Sequence, residues 1–540
     1  MIFSFTFEGF HLLYAAIAVF MTVLTSLFTF EYLGHEPHKL RYWFFVALTM
    51  LAAVGVFLSD NFMTTFICFE VVSLASYPLV AHEETKEALR AGETYLATAI
   101  IGGMVALMGL SLLNNTVGTL DFNTLAAACA ACADKNALAL ASGCLLFGFG
   151  AKAGMFPLHI WLPEAHPVAP APASALLSGI LTKVGVYGIL ATTVLVMTEN
   201  ETWGLWILIL GTITMLLGAI LALLSVNLKR TLACSSVSQI GFILVGVGMM
   251  ALLGEENTLA IRGTLLHMVN HSLFKLVLFM AAGAVFMNTR TLDLNKLRGF
   301  GRGKPFLMFV YLAGAFGIIG IPGFSGYVSK TLLHESIVEY AHVTGSVFCT
   351  VIEWLFLLAG GMTVAYMTKL FVVLFIEKTS AKEKKTLRKR WISPLSRIAF
   401  GVPALLIPVL GCSTTLMDRA ADLGQGFLGG AVTPDVSYFA IGNLKGAGIS
   451  ITLGAIIYFV FVRGFTMKKR PDGKMVYVNR TSAWLSLENS VYRPLLEKVL
   501  PAVLGWIATV FDRFPELFFK VCTETGAFVS RVCDRLRTGW

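Results

Sequence analysis

The chain has 540 residues, of which 56% are hydrophobic and only 14% charged, and its net charge is +9. A soluble chain of this length ordinarily carries about 25% charged residues. Too little charge is present to cover a solvated surface, which excludes a soluble multidomain enzyme, a disordered scaffold and a nucleic-acid binder and leaves a polytopic membrane protein.

A bilayer core of about 30 Å takes roughly 20 apolar residues of helix. By that measure spans fall at 9–33, 42–59, 61–81, 92–114, 137–165, 173–198, 203–226, 231–252, 263–287, 306–340, 353–376, 394–411 and 447–463, thirteen in all. Two are too long and carry breakers, Gly154 with Pro157 in one and Pro322, Gly323 and Gly326 in the other. Each reads as one discontinuous helix, because irregular backbone at membrane depth is tolerated only beside a cavity or within protein. The expected fold is therefore all-α, with an N-terminal helix in 1–41 and five-helix sets at 42–198 and 203–376. Two C-terminal spans follow in 394–463. Each set has its broken helix fourth, and an odd number of spans per set predicts inverted repeats. Residues 481–540 mix apolar and charged residues and read as an interfacial pair of amphipathic helices. An extra span from Val499 would be short and would stop at Asp512–Arg513.

Loop charge supports the count. With the N-terminus outside, the inner loops hold 23 basic residues, seven of them in 377–393, against four outside (Lys135, Arg262, Arg419 and Lys445). Splitting one broken helix into two spans would move the 377–393 run to the other side, so the asymmetry places the basic loops in the cytoplasm. The first apolar run is long and lacks a basic flank and a small-residue cleavage site, so no cleaved leader is expected. The nine cysteines are scattered and form no disulfide framework. Gly424–Gly429 fits G-x-G-x-x-G, but in an outer loop with no strand before it. Cys129 and Cys132 make a lone C-x-x-C in an Ala-rich segment, better read as a small-residue helix face than as a metal site.

The informative residues are charges in the spans, each costing about 2.5–3.5 kcal/mol to insert. Glu70 lies mid-span in FICFEVVSLASY. Lys152 sits at the first break in GFGAKAGMFPLHIW, with His159 after it. Lys183 is mid-span in LSGILTKVGVYG, and Lys330 follows the second break, with His334 four residues on. His267, His271 and Lys275 stand at i, i+4 and i+8, one helix face rising about 6 Å per step. Such a series can pass protons along a wet path, and moving Glu70 toward or away from Lys152 would switch the lysine between holding and releasing one. A single buried Lys or His is more often an interhelical hydrogen-bonding group or a snorkelling end. Two lysines at matching breaks, with three aligned titratable groups, weigh against that reading for the set.

At these residues the chain resembles the antiporter-like, proton-conducting membrane subunits of respiratory complex I, multisubunit cation/proton antiporters and membrane-bound energy-converting hydrogenases. The resemblance covers about residues 30–380 and rests on FEVVSLASY, GFGAKAGMFPLHIWLPEAHPVAPAPASALLSGILTKVGVYG, NLKRTLACSSVSQIGF, HMVNHSLFKLVLFMAAGAV and GIPGFSGYVSK. It implies that Glu70 is the family's buried glutamate and Lys152 its broken-helix partner. Lys183 and Lys275 match the central lysines, with His267 and His271 in the hydrated axis between them. Lys330 is the second broken-helix group, and His159 belongs to the first motif. Together with SLENSVYRPLL near the C-terminus, the first motif is most similar to the large membrane subunit of formate hydrogenlyase-like complexes. The family's glutamate usually lies on the fifth span and Glu70 on the third, so two N-terminal helices packing outside the conducting core are expected to be missing.

The resemblance implies an H⁺ (or Na⁺/H⁺) translocating subunit in a bacterial or archaeal cytoplasmic membrane, with no cofactor or metal of its own. The expected partners are other membrane subunits, the lipid bilayer and a cytoplasmic oxidoreductase arm of nickel–iron hydrogenase or quinone/NADH type, with no nucleic acid. The alternatives are a secondary cation/proton antiporter without a redox partner and a structural anchor for a hydrogenase.

Overall fold

Polar side chains start several of the helices, accepting bonds from first-turn N–H groups that have no partner within the helix. Asn61 accepts from Thr64, Thr85 from Ala88, Asp134 from Ala137, Asn200 from Trp203, Asn227 from Arg230 and Ser346 from Cys349. The protein was analysed as a computed structural model that describes residues 3–34, 36–378, 391–429, 436–471, 473, 475–480 and 487–538. Most of the basic run expected at 377–393 lies outside them. The chain divides into two units, Met1–Arg480 and Thr481–Trp540.

The first unit begins with α1 (Gly9–Tyr32), α2 (Lys39–Leu58), α3 (Phe62–Val80), α4 (Lys86–Val117), α5 (Phe122–Ala131) and α6 (Lys135–Ala153). The chain continues through α7 (Trp161–Val168), α8 (Ala171–Leu176), α9 (Thr182–Leu195), α10 (Glu201–Leu224), α11 (Leu228–Leu253) and α12 (Thr258–Thr289). Then come α13 (Pro305–Ile319), α14 (Ser325–Thr344), α15 (Val347–Phe371), α16 (Pro394–Cys412), α17 (Thr414–Leu428) and α18 (Ile441–Ile456). A hairpin of β1 (Met467–Lys469) and β2 (Met475–Tyr477), with Met467 opposite Tyr477, closes the unit. Among the described residues thirteen helices are long and apolar enough to cross a membrane.

Both expected discontinuities are present. α6 stops at Gly154, whose φ of 80° suits glycine alone among common residues, and α7 resumes after a short 3₁₀ turn. The 306–340 run is divided into α13 and α14 by a link in which Gly320 and Gly323 both have φ of 88°. Neither half of that pair counts among the thirteen, whereas Glu488–Phe511, in the second unit, does. There the expected pair of helices is replaced by one helix, α19 (Leu500–Thr538), which runs on past Asp512–Arg513. Charged residues end an apolar run without ending a helix.

Two further expectations are corrected for the same reason. α12 starts at Thr258, so Arg262 is not a loop residue: it is buried in the helix and ion-paired to Asp418 and Asp422 of α17. Gly424–Leu428 belongs to helix α17 rather than to a loop, with Gly429 as its left-handed cap. The described cysteines, Cys129 and Cys132 among them, are free.

Small residues set the helix spacing. An ideal Cβ on Gly102 of α4 would come within 2.9 Å of Ala151 Cβ on α6, and Gly109 meets Ala141 and Cys144 as closely. On α10, Gly204, Gly211 and Gly218 lie against α11 in the same way, the close small-residue contact that membrane helices use in place of a hydrophobic driving force. Ala171–Thr193 is buried throughout and α11 nearly so, which holds these helices away from lipid.

Candidate functional site

The buried charges fall into three groups. The first lies at the break after α6. Lys152, in the last turn of α6, is buried, donates to the Tyr95 hydroxyl and stands over that ring. Ser76 of α3 bonds the same hydroxyl. Glu70 is not in direct contact with Lys152, although the two interact electrostatically, and its Oε1 has no hydrogen-bond partner. Its carboxylate packs against Gly103 of α4, where a methyl group would collide with it. A cavity of about 10 Å³ beside Lys152 is lined also by Tyr95, Thr98 and Trp161, room for about one water. His159 is buried in the 3₁₀ turn and stacked on Phe156.

The second group is central. Leu177–Leu181 forms a π-turn between α8 and α9, a distortion common at functional positions. The Ser178 carbonyl in it accepts from Lys183 Nζ at 2.9 Å. The same amine lies 2.6 Å from His271 Nδ1. At that separation the two nitrogens share one hydrogen, so an ammonium at Lys183 requires an unprotonated Nδ1 at His271. Lys275, further along α12, donates to the Leu232 carbonyl at 2.8 Å and to Ser235 Oγ. All four side chains, counting His267, are wholly buried.

The third group surrounds the second break. His267 joins Ser329 Oγ at 3.0 Å and Gln239 Oε1 at 3.1 Å, and Asn270 bonds the same serine. The next residue, Lys330, donates to the carbonyls of Ile318 and Ile319 at the end of α13 and lies over Phe242. Open carbonyls at the C-terminal end of a half-helix are natural cation acceptors. A cavity of about 50 Å³ borders Lys330, Thr331, His334, Asn443 and Ser450. His334 faces Glu353 at 3.3 Å and Glu335 at 3.7 Å.

The structure thus brings Lys183 to His271 and His267 to the neighbour of Lys330. It sets Glu70 near Lys152 without contact and leaves His159 apart. Among the described residues no hydrogen bond joins the Lys152 group to the Lys183 group. Sequence reasoning passed over Tyr95, Ser235, Gln239 and Ser329, which hold the charged groups; the signal available was polar side chains recurring in apolar spans. It also passed over two buried lysines. Lys369 donates to the carbonyls of Ala222, Leu223 and Ser225, capping the end of α10, and Lys229 donates to the Ala169 carbonyl. Among the described residues no group of three His, Cys, Asp or Glu side chains could hold a metal ion.

Many apolar spans, two of them broken at membrane depth around buried amines, make this a multi-pass membrane protein of transporter type. A family profile described as NADH:quinone oxidoreductase/Mrp antiporter, TM matches residues 59–356, from before Glu70 to beyond Lys330. The chain belongs to that family. It is 32% identical over 368 residues to hydrogenase-4 component B of Escherichia coli (strain K12), covering 66% of this chain and 54% of that protein. It is 29% identical over 367 residues to a Na(+)/H(+) antiporter subunit of Alkalihalophilus pseudofirmus, covering 66% and 72%. In the Mrp complex of Dietzia sp. DQ12-45-1b, one chain shares the fold with a TM-score of 0.76 at 22% identity, over 93% of this chain and 55% of that one. This chain therefore spans little more than half the length of the hydrogenase component and of the Mrp chain.

Proposed function

We propose that the chain is a proton-translocating membrane subunit in which Glu70, Lys152, Lys183, His271, His267, Lys275 and Lys330 carry protons across the bundle. The observation that carries the reading is the Lys183–His271 contact between wholly buried side chains. Two titratable groups share a hydrogen there with no charge partner of opposite sign in contact. With no opposite charge in contact to offset the cost of burying an amine, packing alone does not account for the pair. His159, next to the first break, serves that break and not the line of carriers.

The protein assembles with other membrane subunits in a bacterial or archaeal cytoplasmic membrane, carries no cofactor, and is driven by an oxidoreductase arm on the cytoplasmic side. The similarity to hydrogenase-4 component B supports the arm, and the similarity to a Na(+)/H(+) antiporter subunit supports a second reading without one. Purification of the intact complex separates them, because co-migrating nickel or iron–sulfur proteins are expected only in the first. Translocation itself is tested by Lys152→Ala and Glu70→Gln. Both are expected to abolish proton movement while electron transfer by the arm persists, and pumping that survives both refutes the assignment.

A further inference from the structure

One buried titratable group has no part in the arrangement above. His166, in α7, is wholly buried, and neither ring nitrogen has a hydrogen-bond partner among the described residues. A neutral imidazole carries one donor and one acceptor, and each costs about 1–3 kcal/mol when left unsatisfied in the interior. Packing alone does not call for histidine here. The ring stacks on Phe279 of α12 with centroids 4.7 Å apart, a contact that phenylalanine would make equally well.

What surrounds the ring gives it a use. Lys275 Nζ lies 5.9 Å from the centroid of the same Phe279 ring. Three residues past His166, the Ala169 carbonyl takes Lys229 Nζ at 2.7 Å, an amine with two further hydrogens to give. The charges of Lys275 and Lys229 both act on the histidine. Lys229 interacts in turn with Glu83, in the link between α3 and α4, where Glu36 and Arg290 also gather. Partial desolvation at the surface, together with the charge of Glu36, holds the Glu83 carboxyl above the usual carboxylate range against the pull of Lys229 and Arg290. Electrostatic coupling thus links Glu83 to Lys229, and Lys229 and Lys275 to His166.

We infer that His166 is a proton relay, receiving protons from the Glu83 end through Lys229 and passing them to Lys275. The inference rests on the translocation reading above and adds the step by which protons reach the centre of the bundle from the Glu83 face, in series with transfer at the Glu70–Lys152 end, so that loss of either stops turnover. An imidazole suits the step because it can accept a proton on one nitrogen and release one from the other.

The test uses membrane vesicles bearing the assembled complex, matched for the amount of this chain, with proton uptake followed by a pH-sensitive dye in H₂O and in D₂O. His166→Phe keeps the stack on Phe279 and His166→Gln keeps hydrogen bonding; neither can relay a proton. Both are expected to slow uptake by about a hundredfold and to raise the solvent isotope effect, because proton transfer then limits the rate. Uptake at the wild-type rate in both variants overturns the relay, as does a slowing that Gln restores without change in the isotope effect. Lys275→Met in the same vesicles separates the two failures. If it blocks uptake while the His166 variants do not, only the relay is wrong; if it too transports normally, the translocation reading falls and takes the relay with it.

Discussion

The closest constraint on Glu70 is a glycine on the neighbouring helix. An ideal Cβ on Gly103 would lie 2.7 Å from the Glu70 carboxyl carbon and 2.9 Å from Oε2, and closer still to Oε1. Real Cβ atoms do not approach so near, so in Gly103→Ala the carboxylate must retreat by about 1 Å, a displacement that can cost a hundredfold where proton transfer depends on alignment. Overpacking adds about 1–3 kcal/mol of destabilisation, offset in part by the roughly 1 kcal/mol that alanine gains over glycine in a helix. Gly143→Ala is the matched control, because nothing lies within 4 Å of a Cβ there. Dye-monitored proton uptake in vesicles, with thermal unfolding of the same preparations, should show a large transport loss and a small stability loss for Gly103→Ala and neither loss for the control. Gly103→Ala transporting at the control rate would refute the placement of Glu70 as a carrier held by that contact.

Lys369→Met should lower stability by about 2 kcal/mol or more, since one charged hydrogen bond is worth about that much. It should leave transport per assembled complex unchanged, because that lysine caps α10; transport loss would make it a carrier. Asp418→Ala with Asp422→Ala strips buried Arg262 of its ion pairs and should cost about 3–5 kcal/mol, read as a lower unfolding temperature with faster proteolysis across α17; unchanged proteolysis would mean that these pairs do not hold the helix. His82, just beyond α3, is pushed down from 6.5 to about 4, chiefly by burial and then by repulsion from Arg41 and His38, against the opposing pull of Glu84. Its folded form therefore resists protonation that the unfolded chain accepts, so its contribution to stability is complete above pH 6.5 and is lost as the pH falls toward 4. Unfolding temperatures across that window should fall less steeply for His82→Gln than for the parent, and parallel curves would refute the assignment.

Hydropathy made the spans of the first unit legible because insertion energy depends on composition, and Gly154 and Gly323 mark breaks that left-handed backbone imposes. Helix ends were less legible. α12 extends beyond its apolar stretch and carries Arg262 inside, because its ion pairs to Asp418 and Asp422 satisfy the buried charge. The charged groups could be found from their cost in lipid, but their partners could not. That Tyr95 takes Lys152, or that a π-turn directs the Ser178 carbonyl at Lys183, depends on contacts across helices distant in sequence. His166 lay inside a motif read for its neighbours, and only the packed structure shows both its ring nitrogens without partners.

The most direct test of the account is proton uptake by vesicles carrying the assembled complex with Lys183→Met or His271→Phe, the two ends of the buried 2.6 Å contact. Each single replacement is expected to stop net uptake while the chain still assembles in wild-type amount. Uptake continuing at the parental rate in both would show that protons do not pass through the centre of this bundle.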